Sequence, residues 1–146
     1  IKKSNQLTND ELIIGSKIKI VRGVFDIKVN KAKNYLKLYF DGKLVKEYSV
    51  TTGANNKTPV GQYKIINKVE NPDWYFKDKV IPAGSKKNLL GTRWMGFDIE
   101  SYGIHGTVEP ESIGRQASLG CVRMLNTDVE ELYDLVPQGT KVTITD

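Results

Sequence analysis

Phe25-Asp26-Ile27-Lys28-Val29 and, a few residues on, Tyr35-Leu36-Lys37-Leu38-Tyr39-Phe40-Asp41-Gly42-Lys43-Leu44-Val45-Lys46-Glu47-Tyr48-Ser49-Val50 decide the fold class. The first run alternates apolar and polar residues with period two, the pattern of a strand buried on one face. The second divides at Asp41-Gly42 into two runs rich in β-branched and aromatic residues, and an Asp-Gly pair takes the positive φ angles of a tight hairpin turn. Three strands in a meander follow from this pattern.

Toward the C-terminus, Thr58-Pro59-Val60-Gly61 marks a turn, and residues 62–68 continue the strand series. Residues 71–91 are rich in Pro, Gly, Asn and Lys and show no sustained periodicity, so they read as a long loop. Loops of that length inside a compact domain often bind or cover a site. Its Trp74 and Tyr75 are therefore either contacts for sugar or peptide or apolar anchors of the loop. Residues 94–99 form a strand leading to His105. Thr127-Asp128-Val129-Glu130 has the capping-box pattern, and Val129, Leu132, Leu135 and Val136 then make one apolar face of a short helix. Pro137 and Gly139 end that helix, and Lys141-Val142-Thr143-Ile144 alternates as a closing strand. The class is mainly β with one short helix near the C-terminus.

With 146 residues, 39% hydrophobic and 27% charged, the chain suits one soluble domain with a sizeable core, and no apolar stretch reaches bilayer-spanning length. A net charge of +5 predicts attraction to polyanions. The lysines are scattered and no recognition motif accompanies them, which argues against nucleic acid. The chain opens on Ile1 with no charged-then-apolar leader and reads as processed or truncated, so any leader or anchor would be invisible in it.

Chemistry concentrates in Ile104-His105-Gly106-Thr107 and Ser118-Leu119-Gly120-Cys121-Val122-Arg123-Met124. His105 and Cys121 are the chain's only histidine and only cysteine, fifteen residues lie between them, and each adjoins a glycine. A thiolate is the reactive form of cysteine, and a nearby imidazole generates it. The competing reading is an inert buried cysteine, the commoner fate of a free thiol. Gly120, permitting close backbone approach, and the cation at Arg123 favour the reactive one. A single cysteine excludes an internal disulfide framework. One His and one Cys are too few for a zinc site, and no phosphate-cradling loop precedes a helix, so no metal or cofactor is expected.

His105-Gly106-Thr107, Pro110, Ser112-Ile113-Gly114, Ser118, Gly120-Cys121 and Arg123 together resemble the active-site signature of the bacterial L,D-transpeptidases. Thr58-Pro59-Val60-Gly61 and the stretch from Pro82-Ala83-Gly84 to Asn88-Leu89-Leu90-Gly91-Thr92-Arg93-Trp94 are also typical of these domains. Leu119 departs from the pattern, standing where many members carry a second histidine, so no proton-transfer role falls to it. The resemblance implies a β-sandwich with the active-site cleft beside the sheet. It also implies two-step acyl transfer: Cys121 as nucleophile on an L-to-D peptide bond of a peptidoglycan stem, a thioester, release of the terminal D-amino acid, and resolution by an amine of a second stem to give a 3→3 cross-link. His105 is then the base, and Gly106 lets the backbone run close to substrate or thiol. Ser118, Leu119 and Gly120 form the loop that orients the imidazole through a backbone carbonyl, and the N–H groups of Gly120 and Cys121 serve the oxyanion. Arg123 serves a substrate carboxylate or the thiolate, or fixes the loop. Glu109 and Glu111, around Pro110, read as solvated loop.

Residues 5–20 resemble the closing third of a LysM glycan-binding repeat, giving a division into residues 1–22, a repeat remnant plus linker, and 23–146, the catalytic domain. An ordinary N-terminal tail is the bland reading. The resemblance implies an extracytoplasmic setting, in the cell wall or a spore, with donor and acceptor stem peptides as partners and anionic wall polymers as further ones. Two other functions stay open: a cysteine carboxypeptidase using water as acceptor, and a catalytically silent wall-binding module.

Overall fold

The computed structural model describes residues 5, 8, 14–18, 20 and 22–146. Half of the LysM-like stretch, residues 6, 7, 9–13 and 19, falls outside the described residues. Strands β1 (Phe25–Asn30), β2 (Tyr35–Phe40) and β3 (Lys43–Ser49) form the expected antiparallel meander. Asp41 and Gly42 turn it with φ of 47° and 76°, both positive as such a hairpin requires. They belong to one eight-stranded sheet of order β11-β9-β8-β5-β12-β1-β2-β3, completed by β5 (Gly61–Glu70), β8 (Arg93–Phe97), β9 (Gly103–His105), β11 (Val122–Arg123) and β12 (Lys141–Thr145).

The long strand β5 joins the halves of that sheet. Its first four residues pair with β12 and the remainder with β8, with a register shift between Ile65 and Asn67. A bulge there bends a strand and increases its twist, so one sheet curls and supplies both walls of the sandwich. Ile27, Val29, Leu36 and Leu38 from one half meet Ile65, Met95, Ile104 and Val122 from the other in a single core cluster.

Helix α1 (Asn126–Leu135) closes that cluster with Val129 and Leu132, and Val136 is buried just beyond its end. Lys68 donates to the carbonyls of Tyr133 and Val136 at 2.6 and 2.8 Å, satisfying acceptors left open at the helix C-terminus. The expected capping box is not made. The N-cap is Leu125, with no side-chain cap, and Thr127 lies inside the first turn. The chain enters the helix straight from the sheet, where Met124 N–H bonds the carbonyl of His105 at 2.9 Å, so tertiary pairing sets the start.

Residues 71–91 are more ordered than a loop. They hold a hairpin of β6 (Trp74–Phe76) and β7 (Lys79–Ile81), turned at Lys77 with φ of 52°. Buried Asn88 staples its base, donating to the carbonyls of Pro72 and Ile81 at 2.8 and 3.2 Å. Short strands β4 (Thr52–Gly53) and β10 (Gln116–Ser118) pair beside the main sheet and complete the frame of the cleft. Among the described residues no helix is long and apolar enough to cross a membrane.

Candidate active site

Parallel pairing of β11 with β9 sets Val122 against Ile104 and Arg123 against His105. Side chains alternate along a strand, so Ile104 and Val122 enter the core while His105, Arg123 and, one pleat earlier, Cys121 face the opposite side. There they line one cleft of about 840 Å³, walled by Trp74, Tyr75, Trp94, Tyr102 and Leu119. Trp74 is half-buried and packs on Phe76 at 4.7 Å, whereas Tyr75 is exposed at the mouth. Trp94 stacks on His105 with ring centroids 5.9 Å apart.

The loop carrying Cys121 is held by short polar links. Ser118 Oγ donates to the carbonyl of Cys121 at 2.6 Å and accepts the N–H of Gly120 at 3.1 Å, while Leu119 between them stays 62% exposed. Thr58 Oγ1 donates to the carbonyl of Gly120 at 2.8 Å and accepts the N–H of Gly53 at 2.7 Å. This explains the Thr of the Thr-Pro-Val-Gly turn, to which the sequence assigned no task. Gly120 has φ of 142°, and a Cβ there would sit 2.8 Å from the Tyr102 ring. Gly120→Ala is therefore expected to displace the thiol, slowing alkylation and acylation of Cys121 more than tenfold in a protein that still unfolds cooperatively. Wild-type rates in that variant would refute the placement.

His105 is turned by a different carbonyl from the three the sequence offered. Its Nδ1 lies 2.7 Å from the oxygen of Gly106. The Gly120 oxygen is already taken by Thr58, whereas β9 ends at His105 and the next peptide folds back onto the ring. A carbonyl only accepts, so Nδ1 carries the proton and Nε2 is left as the acceptor. Gly106 meets a neighbour other than substrate or thiol, since a Cβ on it would stand 2.2 Å from Asn126 Oδ1.

Electrostatics keep the thiol and the imidazole neutral at rest. Burial drives the His105 pKa down to about 4; the bond to Gly106 opposes this and the Arg123 charge adds to it. Burial pushes the Cys121 thiol up, while the Gly103 N–H and Arg123 pull the other way. The thiol donates to the carbonyl of Ser101 at 3.3 Å, a residue held at φ of 67°. Arg123 is itself buried, its Nη1 bonded to Glu109 Oε2 at 2.8 Å, and its buried Nε meets no acceptor among the described residues. Glu109, expected to be solvated loop, is thus the partner of the site's cation. A fourteen-residue separation across a loop gave no sequence signal for that pair.

The lowered His105 value has a consequence for stability. Between the unfolded value of 6.5 and about 4, the unfolded chain takes a proton that the folded chain refuses. The contribution is complete above the upper limit and is lost as pH falls through the window, on the order of 3 kcal/mol in all. Urea midpoints of wild type and His105→Gln at pH 7 and pH 4.5 should therefore converge at the lower pH if the wild type is the more stable, and parallel midpoints would contradict the assignment.

A family model for the L,D-transpeptidase catalytic domain matches residues 25–144. The L,D-transpeptidase-family protein YqjB of Bacillus subtilis is 45% identical over 124 residues, covering 81% of this chain and 69% of that protein. YkuD of the same organism is 37% identical over 121 residues, covering 82% of this chain and 65% of that protein. The solved catalytic domain of the Enterococcus faecium L,D-transpeptidase matches with a TM-score of 0.67 at 27% identity, covering 85% of this chain and 98% of that one. This chain thus spans about two thirds of the length of those Bacillus relatives.

Proposed function

We propose that this chain, which belongs to the L,D-transpeptidase catalytic domain family, is a cysteine acyltransferase that joins peptidoglycan stem peptides by 3→3 cross-links. The observation that carries the reading is the convergence in one cleft of His105, at the end of β9, and Cys121, immediately before the parallel strand β11, with the imidazole Nδ1 occupied and Nε2 left to act.

Because thiol and imidazole are both neutral at rest, the thiolate forms only as the reaction begins. Nε2 of His105 takes the Sγ proton, and the sulfur attacks the carbonyl carbon of the L-to-D peptide bond in a tetrapeptide donor. The negative charge that develops on the oxygen needs fixed donors. Gly120 N–H already serves Ser118 Oγ, which leaves the N–H of Cys121. The imidazolium returns its proton to the leaving amine, the C–N bond breaks, and the thioester remains as the D-amino acid departs. An acceptor amine from a second stem then attacks the thioester carbon, gives its proton to Nε2, and expels the thiolate, which is reprotonated.

Arg123 supplies the charge for the donor's terminal carboxylate. Its planar guanidinium fork lines the cleft, anchored at Nη1 by Glu109 Oε2. Replacing it with lysine loses that planar fork, and Arg123→Lys is expected to raise KM for a tetrapeptide about tenfold with a smaller change in kcat, as steady-state kinetics would report. A donor in which the terminal carboxylate is amidated should lose the same factor on wild type and nothing further on the variant.

The family relation and the stem-peptide chemistry support an extracytoplasmic, wall-associated setting, and the net charge of +5 suits anionic wall polymers as neighbours. Incubation with a tetrapeptide stem, with and without a diamino-acid acceptor, tests the transferase reading. Cross-linked peptide that depends on the acceptor is the expected product. Free tripeptide alone, with acceptor in excess, would make the protein a carboxypeptidase, and no turnover with retained sacculus binding would make it a wall-binding module.

A further inference from the structure

Asn126 opens α1 yet does nothing for the helix. Leu125 is the N-cap and no side chain caps the first turn. The Asn126 Oδ1 instead accepts the backbone N–H of Thr92 at 3.2 Å and that of Thr107 at 3.1 Å. Those two amides follow Gly91 and Gly106, and both glycines press against the same oxygen. A Cβ would stand 2.3 Å from it at Gly91 and 2.2 Å at Gly106. One carboxamide oxygen thus gathers two loops that are far apart in sequence and tolerates no side chain on either.

The Gly106 loop carries the carbonyl that holds the imidazole, and Gly91 packs directly against it, where a Cβ would stand 2.6 Å from the Gly106 carbonyl carbon. Gly106 presents its oxygen to Nδ1 at 2.7 Å. We infer that Asn126 is the positioning residue for His105: by clamping the Leu90-Gly91-Thr92 and Gly106-Thr107 segments it fixes the Nδ1 acceptor, and with it the tautomer that leaves Nε2 free. A side-chain oxygen with two lone pairs can take both N–H groups at once, which a hydrocarbon of the same size cannot. Asparagine at this point therefore ties the two loops together, while the N-cap position itself falls to Leu125.

The kinetic arm of the test rests on His105 being the base, but the spectroscopic arm does not. The chain has a single histidine, so its two ring nitrogens are read in a ¹⁵N–¹H long-range spectrum without assignment ambiguity. Wild type at pH 7 should show the Nδ1-protonated form. Asn126→Leu, which removes the acceptor, and Asn126→Ala, which admits water to both amides should the first fail to fold, are expected to shift the ring toward the Nε2-protonated form that a free imidazole prefers. Acylation of Cys121 by a carbapenem should slow at least tenfold in the same proteins, and Asn126→Asp, which keeps the acceptor oxygen, should recover most of both. A folded Asn126→Ala protein with wild-type ring shifts overturns the inference, even if its melting temperature falls, because the residue would then be only a structural tie. Shifted nitrogens with an unchanged acylation rate would leave Asn126 as the positioning residue and remove His105 as the base.

Discussion

Cys121→Ala should consume no tetrapeptide at any acceptor concentration while keeping the wild-type circular dichroism and an unfolding free energy within about 1 kcal/mol of wild type. The proposed reaction passes through a thioester, and no other thiol exists in the chain to form one. The fold should survive because Cys121 is only partly buried and lies at the edge of the core, between Gly120 and β11, while the neighbouring Val122 makes the core contact. Serine at the same position keeps the shape but not the nucleophile: with a neutral imidazole as base, a hydroxyl is far harder to ionise than a thiol. Cys121→Ser should therefore be as silent as Cys121→Ala in peptide assays. Turnover by either variant would show that the chemistry lies elsewhere in the cleft.

His105→Gln carries the second large effect. Glutamine is of similar size and can hydrogen-bond Gly106, but it cannot accept a proton from sulfur at neutral pH. General-base catalysis of this kind contributes roughly a hundredfold to ten-thousandfold, so kcat/KM for the tetrapeptide should fall by that range with the thiol still present and alkylable. The pH profile separates this account from one built on a resting thiolate–imidazolium pair. With His105 held down to about 4, the acid limb of wild-type acylation should lie near that value, well below the ordinary imidazole range. An ion pair would need the opposite arrangement, with imidazole raised and thiol lowered, and an acid limb set by the thiol. Loss of less than tenfold in His105→Gln would count against His105 as the base, and an acid limb above pH 6 would count against its lowered pKa.

Particular residues show what was legible in the sequence and what was not. The meander was readable because two physical signals coincide there: period-two alternation over residues 25–50, and an Asp-Gly pair at the one position where both φ angles must be positive. The hairpin at Trp74–Phe76 and Lys79–Ile81 was not, since three residues are too few to define a period and its turn uses Lys77 in a left-handed conformation without glycine. The curl of the sheet depends on a bulge between Ile65 and Asn67, a pairing event between strands far apart in sequence that leaves no local mark.

Within the site, His105 and Cys121 were visible as the sole members of their residue types in glycine-flanked positions, but the groups that arrange them were not. Thr58, Glu109 and Asn126 act through contacts with sequence separations of 62, 14 and 34 residues. The capping box failed for a related reason. Thr127 and Glu130 have the spacing of a cap, but the pairing of Met124 with His105 and the tether at Asn126 already determine where the helix begins. Local preference gives way where the chain holds the imidazole.

Intact-mass spectrometry of the wild-type chain after exposure to a carbapenem tests the central claim most directly, because a strained amide reports an activated thiol without requiring the natural acceptor. One adduct per chain, mapped to Cys121 and absent from Cys121→Ala, is the predicted result. No adduct, with the thiol titratable only after unfolding, would mean that Cys121 is a buried structural residue and that this cleft does not perform acyl transfer.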